Sequence, residues 1–247
     1  MTKDSGKKYE SHVEKKLFSM VAKKYFCEHI NAGKVLDVGA GTGRLSFALA
    51  ENGCDVLAVD ISEEMLKIID ENKGDLKIAT MAVDCEKLPF DNEFFDAVVS
   101  LDAMLHFPNW QDFLKEQARV LKKGGIIGFN ILSRDNLKIV ENDPIKGANY
   151  ILNGGYYSTT SKEELEKICP QMDLELLEII PYFFFHTNAL GHGNLTSEES
   201  FRFTNLFDRF ISNEKILEVY AEFELNTVRN LSSDLVAQQI IFLKKKD

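Results

Sequence analysis

Short apolar runs alternate with longer amphipathic stretches from Gly33 to about residue 132. Five of the runs are rich in Val, Ile or Phe and are short enough to be buried strands: KVLDVG, DVLAVD, LKIAT, FDAVVSL and GGIIGFNIL. The stretches between them are long enough for the crossover helices that parallel strands require. The pattern therefore predicts an α/β core of five parallel strands over residues 33–132.

The segment before this core and the one directly after it have other patterns. A polar, lysine-rich start gives way to apolar residues at near-helical spacing between Val13 and Tyr25, which predicts a leader helix within residues 1–32. Residues 133–160 show no clean periodicity and contain the turn signals NDP and NGG. We therefore expect a long, partly ordered loop there.

Capping boxes mark two helical regions nearer the C-terminus. Ser161–Glu164 and Thr196–Glu199 both fit S/T-x-x-E, in which the hydroxyl and the carboxylate satisfy free amides at a helix start. They predict a helix at 162–169 and an inserted helical pair or bent helix at 197–226. Two further strands, LELLEIIPYFFF and AQQIIFLKKK, precede and follow the insertion.

Composition and charge indicate the number of domains, the kinds of binding partner and the cellular compartment to expect for this protein. The 247 residues, 45% of them hydrophobic, suit one α/β domain with an embellishment better than two domains. A net charge of −10 disfavours nucleic acid and anionic membranes as partners, and no apolar run reaches the ~18 residues of a membrane span. Four scattered cysteines and no recognisable secretory signal predict reduced thiols in a cytoplasmic protein. The oligomeric state stays open, with a homodimer among the options.

The most informative segment is VLDVGAGTG at 35–43, where a strand runs directly into three glycines at alternate positions and then into a helix. Glycine permits positive φ and lets main chain and helix-start amides approach a ligand closely. The spacing is GxGxG and not the GxGxxG of dinucleotide-binding folds, which disfavours a nicotinamide dehydrogenase. Asp37, two positions before the first glycine, would repel a pyrophosphate and suits a polar, cationic ligand better.

Polar residues also follow the next two strands, at the edge where open parallel sheets bind ligands. Asp60 ends the second strand and can accept hydrogen bonds from both hydroxyls of a ribose. Asp84 and Cys85 follow the third, where a carboxylate beside a main-chain amide can recognise the amino edge of an adenine. An acid at such a place can also be only a turn former, an alternative that weighs more for Asp84 than for Asp60. Arg44, beside the glycines, is expected to be a solvated residue of the first helical turn.

Together with RVLKKGGIIGF, which reads as a helix, a Gly-Gly turn and a strand, these pieces resemble the class I S-adenosylmethionine-dependent methyltransferases. The resemblance covers roughly residues 33–132 and is strongest to the small-molecule branch with the ubiquinone and menaquinone C-methyltransferases. It implies one domain over 1–247 and a Rossmann-like, seven-stranded, mainly parallel sheet in the order 3-2-1-4-5-7-6. The last strand would be antiparallel and helices would cover both faces. Segments 133–160 and 186–234 would form a substrate-side lid and insertion.

The resemblance also implies S-adenosylmethionine as the cofactor and S-adenosylhomocysteine as its product. Asp37, Gly39 and Gly41 would line the methionine portion, and Asp60 would bind the ribose. Leu101, at the end of the fourth strand, would offer its carbonyl to the cofactor's amino group.

The same resemblance assigns the residues around the adenine. Asp84 with the Cys85 amide would bind its edge, and Ile61 and Met65 would flank the ring. Tyr9, in a leader that could fold over the cofactor, matches a tyrosine of many relatives.

The sulfonium methyl is already activated, so transfer chiefly requires the nucleophile, methyl and sulfur to lie in line. Such positioning can lower the activation free energy by about 7–11 kcal/mol. A general base is needed only if the nucleophile arrives protonated. His106 is the first candidate for that base because it follows the edge of the fourth strand. The other candidates for a base are Asp102, Tyr156, Tyr182, His186 and His192. No metal is expected, and the scattered cysteines disfavour a metal–thiol acceptor.

Aromatic residues are concentrated in the segments that would roof the site. The phenylalanines concerned are Phe183, Phe184, Phe185, Phe201, Phe203, Phe207 and Phe210. They could form an aromatic lid over an uncharged or cationic organic acceptor, or simply pack the insertion against the sheet.

Two hypotheses of function remain at this stage. The first is an enzyme that moves a methyl group to O, N or C of a small molecule. The second is a non-catalytic S-adenosylmethionine-binding module that acts through a protein partner. An open pocket beside the methyl would favour the enzyme, and Phe side chains filling it would favour the module.

Overall fold

The computed structural model describes residues 13–137, 149–152, 155–182, 202, 206, 209–236 and 238–247. Several features predicted from the sequence lie outside these ranges and are not discussed structurally. They are Tyr9, His186, His192, the Thr196–Glu199 capping box and every phenylalanine of the predicted lid except Phe210.

The strands described are β1 (Lys34–Val38), β2 (Asp55–Asp60), β3 (Ile78–Ala82), β4 (Phe95–Ser100), β5 (Leu121–Ser133), β6 (Asn149–Leu152), β7 (Gly155–Thr160), β8 (Leu174–Tyr182) and β9 (Gln238–Lys245). The main sheet has the order β3-β2-β1-β4-β5-β9-β8. Neighbours from β3 to β5 are parallel, whereas β9 is antiparallel to both β5 and β8. The predicted sheet order and its antiparallel last strand are therefore confirmed.

The segment after β5 differs from the predicted long loop. A short helix, α5 (Arg134–Leu137), is followed by the antiparallel pair β6 and β7, and β7 pairs with the end of β5 through Leu132 and Ser133. β6 ends at Leu152 and β7 begins at Gly155, the last glycine of the turn signal NGG. The segments YIL and YYSTT on either side are rich in aromatic and β-branched residues, which favour extended chain.

The other helices described are α1 (Val13–His29), α2 (Arg44–Glu51), α3 (Glu63–Asn72), α4 (Trp110–Val120), α6 (Lys162–Ile168) and α7 (Glu214–Asn226). Ser161 caps α6, since its hydroxyl accepts from the Glu164 amide at 3.1 Å, as the capping box predicts. The Glu164 carboxylate, however, accepts from Arg134 at 2.8 Å and from the Thr160 hydroxyl at 2.9 Å. In the insertion, residues 209–211 are helical and α7 begins after a break at Ser212 and Asn213.

Alternate strand residues bury toward opposite faces of the sheet, which produces three layers. One apolar cluster joins side chains such as Val35 to α1, α2, α3 and α7. The other joins side chains such as Leu36 to α4 and α6. All four cysteines are free. None of the helices within the described ranges is long and apolar enough to cross a membrane.

Candidate cofactor site

The glycine loop after β1 has the conformation that its residues predict. Gly39 has φ +73° and Gly41 has φ +54°, main-chain angles that residues other than glycine rarely adopt. A Cβ atom on Gly39 would lie 2.4 Å from the Ala103 Cβ, so this glycine allows the loop after β4 to pack against the glycine loop. A Cβ on Gly41 would meet no described atom within 4 Å. Gly41 therefore borders open space at the carboxyl edge of the sheet.

Asp60 joins the glycine loop to the end of β2. Its Oδ2 accepts a hydrogen bond from the Gly41 amide at 2.8 Å, and its Oδ1 accepts one from the Ser62 amide at 2.9 Å. Asp60 thus also stabilises the turn after β2, which is the structural role that the sequence left open for it. The carboxylate is only half-buried, however, and each oxygen has a second lone pair that can accept a hydroxyl.

Asp37 lies beneath the loop and not on its open side. Its carboxylate is 1% exposed and accepts from the Ser46 hydroxyl of α2 at 2.6 Å. Burial raises the pKa of Asp37 to about 6, the Ser46 hydrogen bond opposes that rise, and the nearby Asp60 charge adds to it. The two acids place negative potential under and beside the glycine loop.

The residues predicted around the adenine differ in exposure. Ile61, next to Asp60, is 77% exposed although it is apolar, and Met65 on α3 is half-buried. An exposed isoleucine at this edge offers an apolar surface to a flat ring. The Cys85 thiol is buried, and burial raises its pKa to about 12. Asp84 is exposed, and its Oδ1 accepts from the Glu86 amide at 3.0 Å, so it does close a turn.

The prediction that Arg44 is solvated is wrong. The Arg44 side chain is 21% exposed and donates to the Asp102 carboxylate at 2.8 Å, and Asp102 is 24% exposed. Arg44 is the first residue of α2, and Asp102 lies in the loop after β4, so the first turn of α2 contacts that loop. The ion pair connects the start of α2, directly after the glycine loop, to the loop after β4.

A buried amide adjoins this ion pair, and sequence reasoning missed its role. Asn130, on β5 and fully buried, donates to the Asp102 carboxylate at 2.7 Å and accepts from the Asp102 amide at 2.7 Å. Its second N–H donates to the Tyr182 hydroxyl at 3.0 Å, and that hydroxyl donates to Gln238 at 2.9 Å. The one signal in the sequence is a carboxamide inside the apolar run GGIIGFNIL.

The candidate bases lie in different surroundings. His106 ends a short 3₁₀ helix after β4, is exposed, and has its ring centroid 5.2 Å from that of Tyr157 on β7. Tyr182 is fully buried, and burial together with the nearby Asp102 charge raises its pKa well above the usual value. Tyr182 is therefore not accessible to act as a base, whereas His106 is exposed and lies beside the β6–β7 hairpin.

Comparisons with known proteins agree with this geometry. Residues 36–129 match the sequence model of the family described as "Methyltransferase domain". The chain is 34% identical over 141 residues to the ubiquinone biosynthesis O-methyltransferase of Coxiella burnetii, covering 56% of this chain and 59% of that protein. It is 39% identical over 97 residues to the demethylmenaquinone methyltransferase of Tropheryma whipplei, covering 39% and 41%.

Solved structures share the fold over most of the chain. An S-adenosylmethionine-dependent methyltransferase from Mesorhizobium loti superposes with a TM-score of 0.57 at 14% identity, covering 91% of this chain and 96% of that one. The 1,6-didemethyltoxoflavin-N1-methyltransferase of Burkholderia thailandensis, solved with S-adenosylhomocysteine, gives a TM-score of 0.57 at 15% identity, covering 93% and 79%.

The sheet order, the glycine loop held by Asp60 and the match of residues 36–129 to the methyltransferase-domain family all agree with the resemblance to class I S-adenosylmethionine-dependent methyltransferases. The predicted fold class and family resemblance are confirmed. The relatives by sequence include methyltransferases named for ubiquinone and menaquinone, and the chain spans about three fifths of the length of the first of these.

Proposed function

We propose that this protein transfers a methyl group from S-adenosylmethionine to O, N or C of a small organic acceptor by in-line displacement. The observation that carries the proposal is the hydrogen bond of 2.8 Å from the Gly41 amide to the Asp60 carboxylate. It brings the open side of the glycine loop next to the acid that ends β2. These are the two features that an adenosyl group attached to an amino acid would need.

The parts of the cofactor would each meet a different feature of this edge. The ribose hydroxyls would bind Asp60, and the adenine would lie against Ile61 and Met65 near the Asp84–Cys85 turn. The methionine portion would lie over Gly39 and Gly41, with its amino group toward Leu101. Its sulfonium and ammonium charges are both positive, so the negative potential of Asp37 and Asp60 favours them.

Little acid–base chemistry is required for the transfer itself. The nucleophile forms a bond to the methyl carbon as the carbon–sulfur bond breaks, and the sulfur keeps that electron pair as the thioether of S-adenosylhomocysteine. If the nucleophile is a hydroxyl, its proton must leave, and exposed His106 is our candidate to accept it. Alignment of the reactants would supply the larger share of the reduction in activation free energy, about 7–11 kcal/mol.

The first acceptors to test follow from the sequence relatives. One is named an O-methyltransferase of ubiquinone biosynthesis and another a demethylmenaquinone methyltransferase. Catechols and quinols, which offer both a ring hydroxyl and a ring carbon, cover both reactions. Nothing in these comparisons favours the alternative of a non-catalytic binding module.

Thermal unfolding with S-adenosylmethionine, S-adenosylhomocysteine or NAD tests cofactor binding. At 100 times Kd a bound cofactor should stabilise the wild type by about 2.7 kcal/mol, and Asp60→Ala should lose much of that gain. Asp75→Ala, which removes an exposed acid beyond the end of α3, is the matched control and should respond like the wild type.

Transfer of an isotopically labelled methyl group to a panel of catechols and quinols then tests activity. Labelled product with the wild type and its loss in Asp60→Ala would support the proposal. Absence of a shift with either sulfur-containing nucleoside, or a larger shift with NAD, would overturn it. Binding of the cofactor without transfer to any catechol or quinol, or to a small amine added to the panel, would instead favour the non-catalytic module.

A further inference from the structure

The loop after β4 contains one residue, Asp102, in a strained main-chain conformation. Asp102 has φ +58°, a conformation that costs an aspartate free energy unless its surroundings hold it. Leu101, directly before it, is the residue whose carbonyl is predicted to bind the amino group of the cofactor. The Leu101 carbonyl and the Asp102 amide belong to one peptide unit, so what holds one orients the other.

Asn130 holds this peptide unit. Its Oδ1 accepts from the Asp102 amide at 2.7 Å, while its Nδ2 donates to the Asp102 carboxylate at 2.7 Å. Only one orientation of the carboxamide satisfies both bonds, because the amide N–H needs an acceptor and the carboxylate needs a donor. The remaining N–H of Asn130 donates to the Tyr182 hydroxyl, so hydrogen bonds to both Asp102 and Tyr182 hold the buried side chain in place.

The direction of the Leu101 carbonyl follows from the strand order. In a trans peptide the N–H and the C=O point to opposite sides. The Asp102 amide points to Asn130 on β5, and β4 lies between β5 and β1. The Leu101 carbonyl therefore points toward β1 and the glycine loop, against which the neighbouring Ala103 packs.

We propose that Asn130 is a positioning residue for the cofactor, because its two hydrogen bonds to Asp102 turn the Leu101 carbonyl toward the glycine loop, where the cofactor's amino group would lie. The proposal rests on the proposed function and adds a residue that touches neither cofactor nor acceptor. It predicts that Asn130 matters for ligands with the amino acid portion and not for the nucleoside alone.

The test compares two ligands by titration calorimetry. S-Adenosylhomocysteine carries the amino group, whereas 5′-methylthioadenosine keeps the adenine, ribose and sulfur but lacks the amino acid portion. Asn130→Leu removes both bonds to Asp102 and should weaken S-adenosylhomocysteine binding by about ten- to a hundredfold, the range for a hydrogen bond to a charged group. Binding of 5′-methylthioadenosine should change by less than about threefold, within the error of such comparisons.

Two further variants separate positioning from folding. Gln117→Leu makes the same change to a buried amide of α4, on the opposite face of the sheet, and should bind both ligands like the wild type. If Asn130→Leu does not fold, Asn130→Ser serves instead, since its hydroxyl is too short to reach Asp102 and the substitution adds no apolar bulk beside Tyr182.

The outcomes distinguish this proposal from the proposed function. Unchanged S-adenosylhomocysteine affinity in either Asn130 variant would overturn the positioning role, and so would an equal loss for both ligands, which would indicate general damage. If the wild type binds neither ligand, the proposed function itself fails and this inference fails with it.

Discussion

Alanine substitutions at Gly39 and Gly41 should have different consequences, although both glycines have positive φ. In each variant the alanine must adopt a conformation that costs about 1–2 kcal/mol, partly offset by about 0.4–1 kcal/mol from the less flexible unfolded chain. At Gly39 the new methyl group would also lie 2.4 Å from the Ala103 Cβ, a contact that only movement of main chain can relieve. At Gly41 the methyl group would enter open space.

The contacts at the two glycines determine how much stability and affinity each variant should lose. Forcing an extra carbon into a packed contact costs about 1–3 kcal/mol, so Gly39→Ala should lower the free energy of unfolding by about 2–4 kcal/mol in all. Gly41→Ala should lower it by about 1 kcal/mol or less. The two variants should not differ in this way in ligand binding. Gly41→Ala places its methyl group where the cofactor would lie, and Gly39→Ala displaces the same loop. We therefore expect both variants to lose S-adenosylhomocysteine affinity by at least about tenfold.

Urea denaturation without ligand measures the stabilities, and titration calorimetry with S-adenosylhomocysteine measures the affinities. Gly74→Ala is a control, because Gly74 has φ +51° and an equally open Cβ position but follows α3, away from the cleft. It should match Gly41→Ala in stability and the wild type in affinity. Wild-type affinity in Gly41→Ala would refute the reasoning that this open space belongs to the cofactor.

Two further predictions concern Asp37 and Ile61. The pKa of Asp37 is raised in the folded protein to about 6, so the folded state holds its proton more tightly than the unfolded chain, and stability should fall as pH rises from about 4 to 6. Asp37→Asn should remove that slope and raise the free energy of unfolding at pH 7.5 by about 1–3 kcal/mol in urea denaturation, while weakening S-adenosylhomocysteine binding; an unchanged slope would contradict the assignment. Ile61→Ser should change stability by less than about 0.5 kcal/mol but weaken nucleoside binding, whereas Val219→Ser, 67% exposed on α7, should change neither. Equal nucleoside affinity in the two serine variants would count against a ring stacked on Ile61.

The sequence was sufficient for features that depend on local pattern. Each of the first five strands appears close to its predicted position, because buried parallel strands are continuous apolar runs separated by amphipathic helices. The glycine loop and Asp60 could also be read directly, since a positive-φ turn and a strand-end acid are encoded by adjacent residues. The β6–β7 hairpin was missed because its aromatic and threonine residues lie in a segment rich in turn signals.

Contacts between residues far apart in sequence could not be predicted in this way. Arg44 and Asp102 are 58 positions apart, and Asp102 and Asn130 are 28 apart. No periodicity links such positions, because the sheet order alone brings their loops together. A lone arginine at a helix start and a lone asparagine in a strand therefore looked solvated or incidental until their partners were known.

The placement of β9 has a consequence for how the chain is made. This strand occupies the slot between β5 and β8, both of which precede it in sequence, and its central residues are buried on both faces. As the polypeptide emerges from the ribosome, β5 and β8 each expose an unsatisfied hydrogen-bonding edge until Gln238–Lys245 arrives to join them. Nascent chains halted before that point would be prone to mispair with one another, and final closure of the core depends on residues synthesised more than a hundred positions after β5.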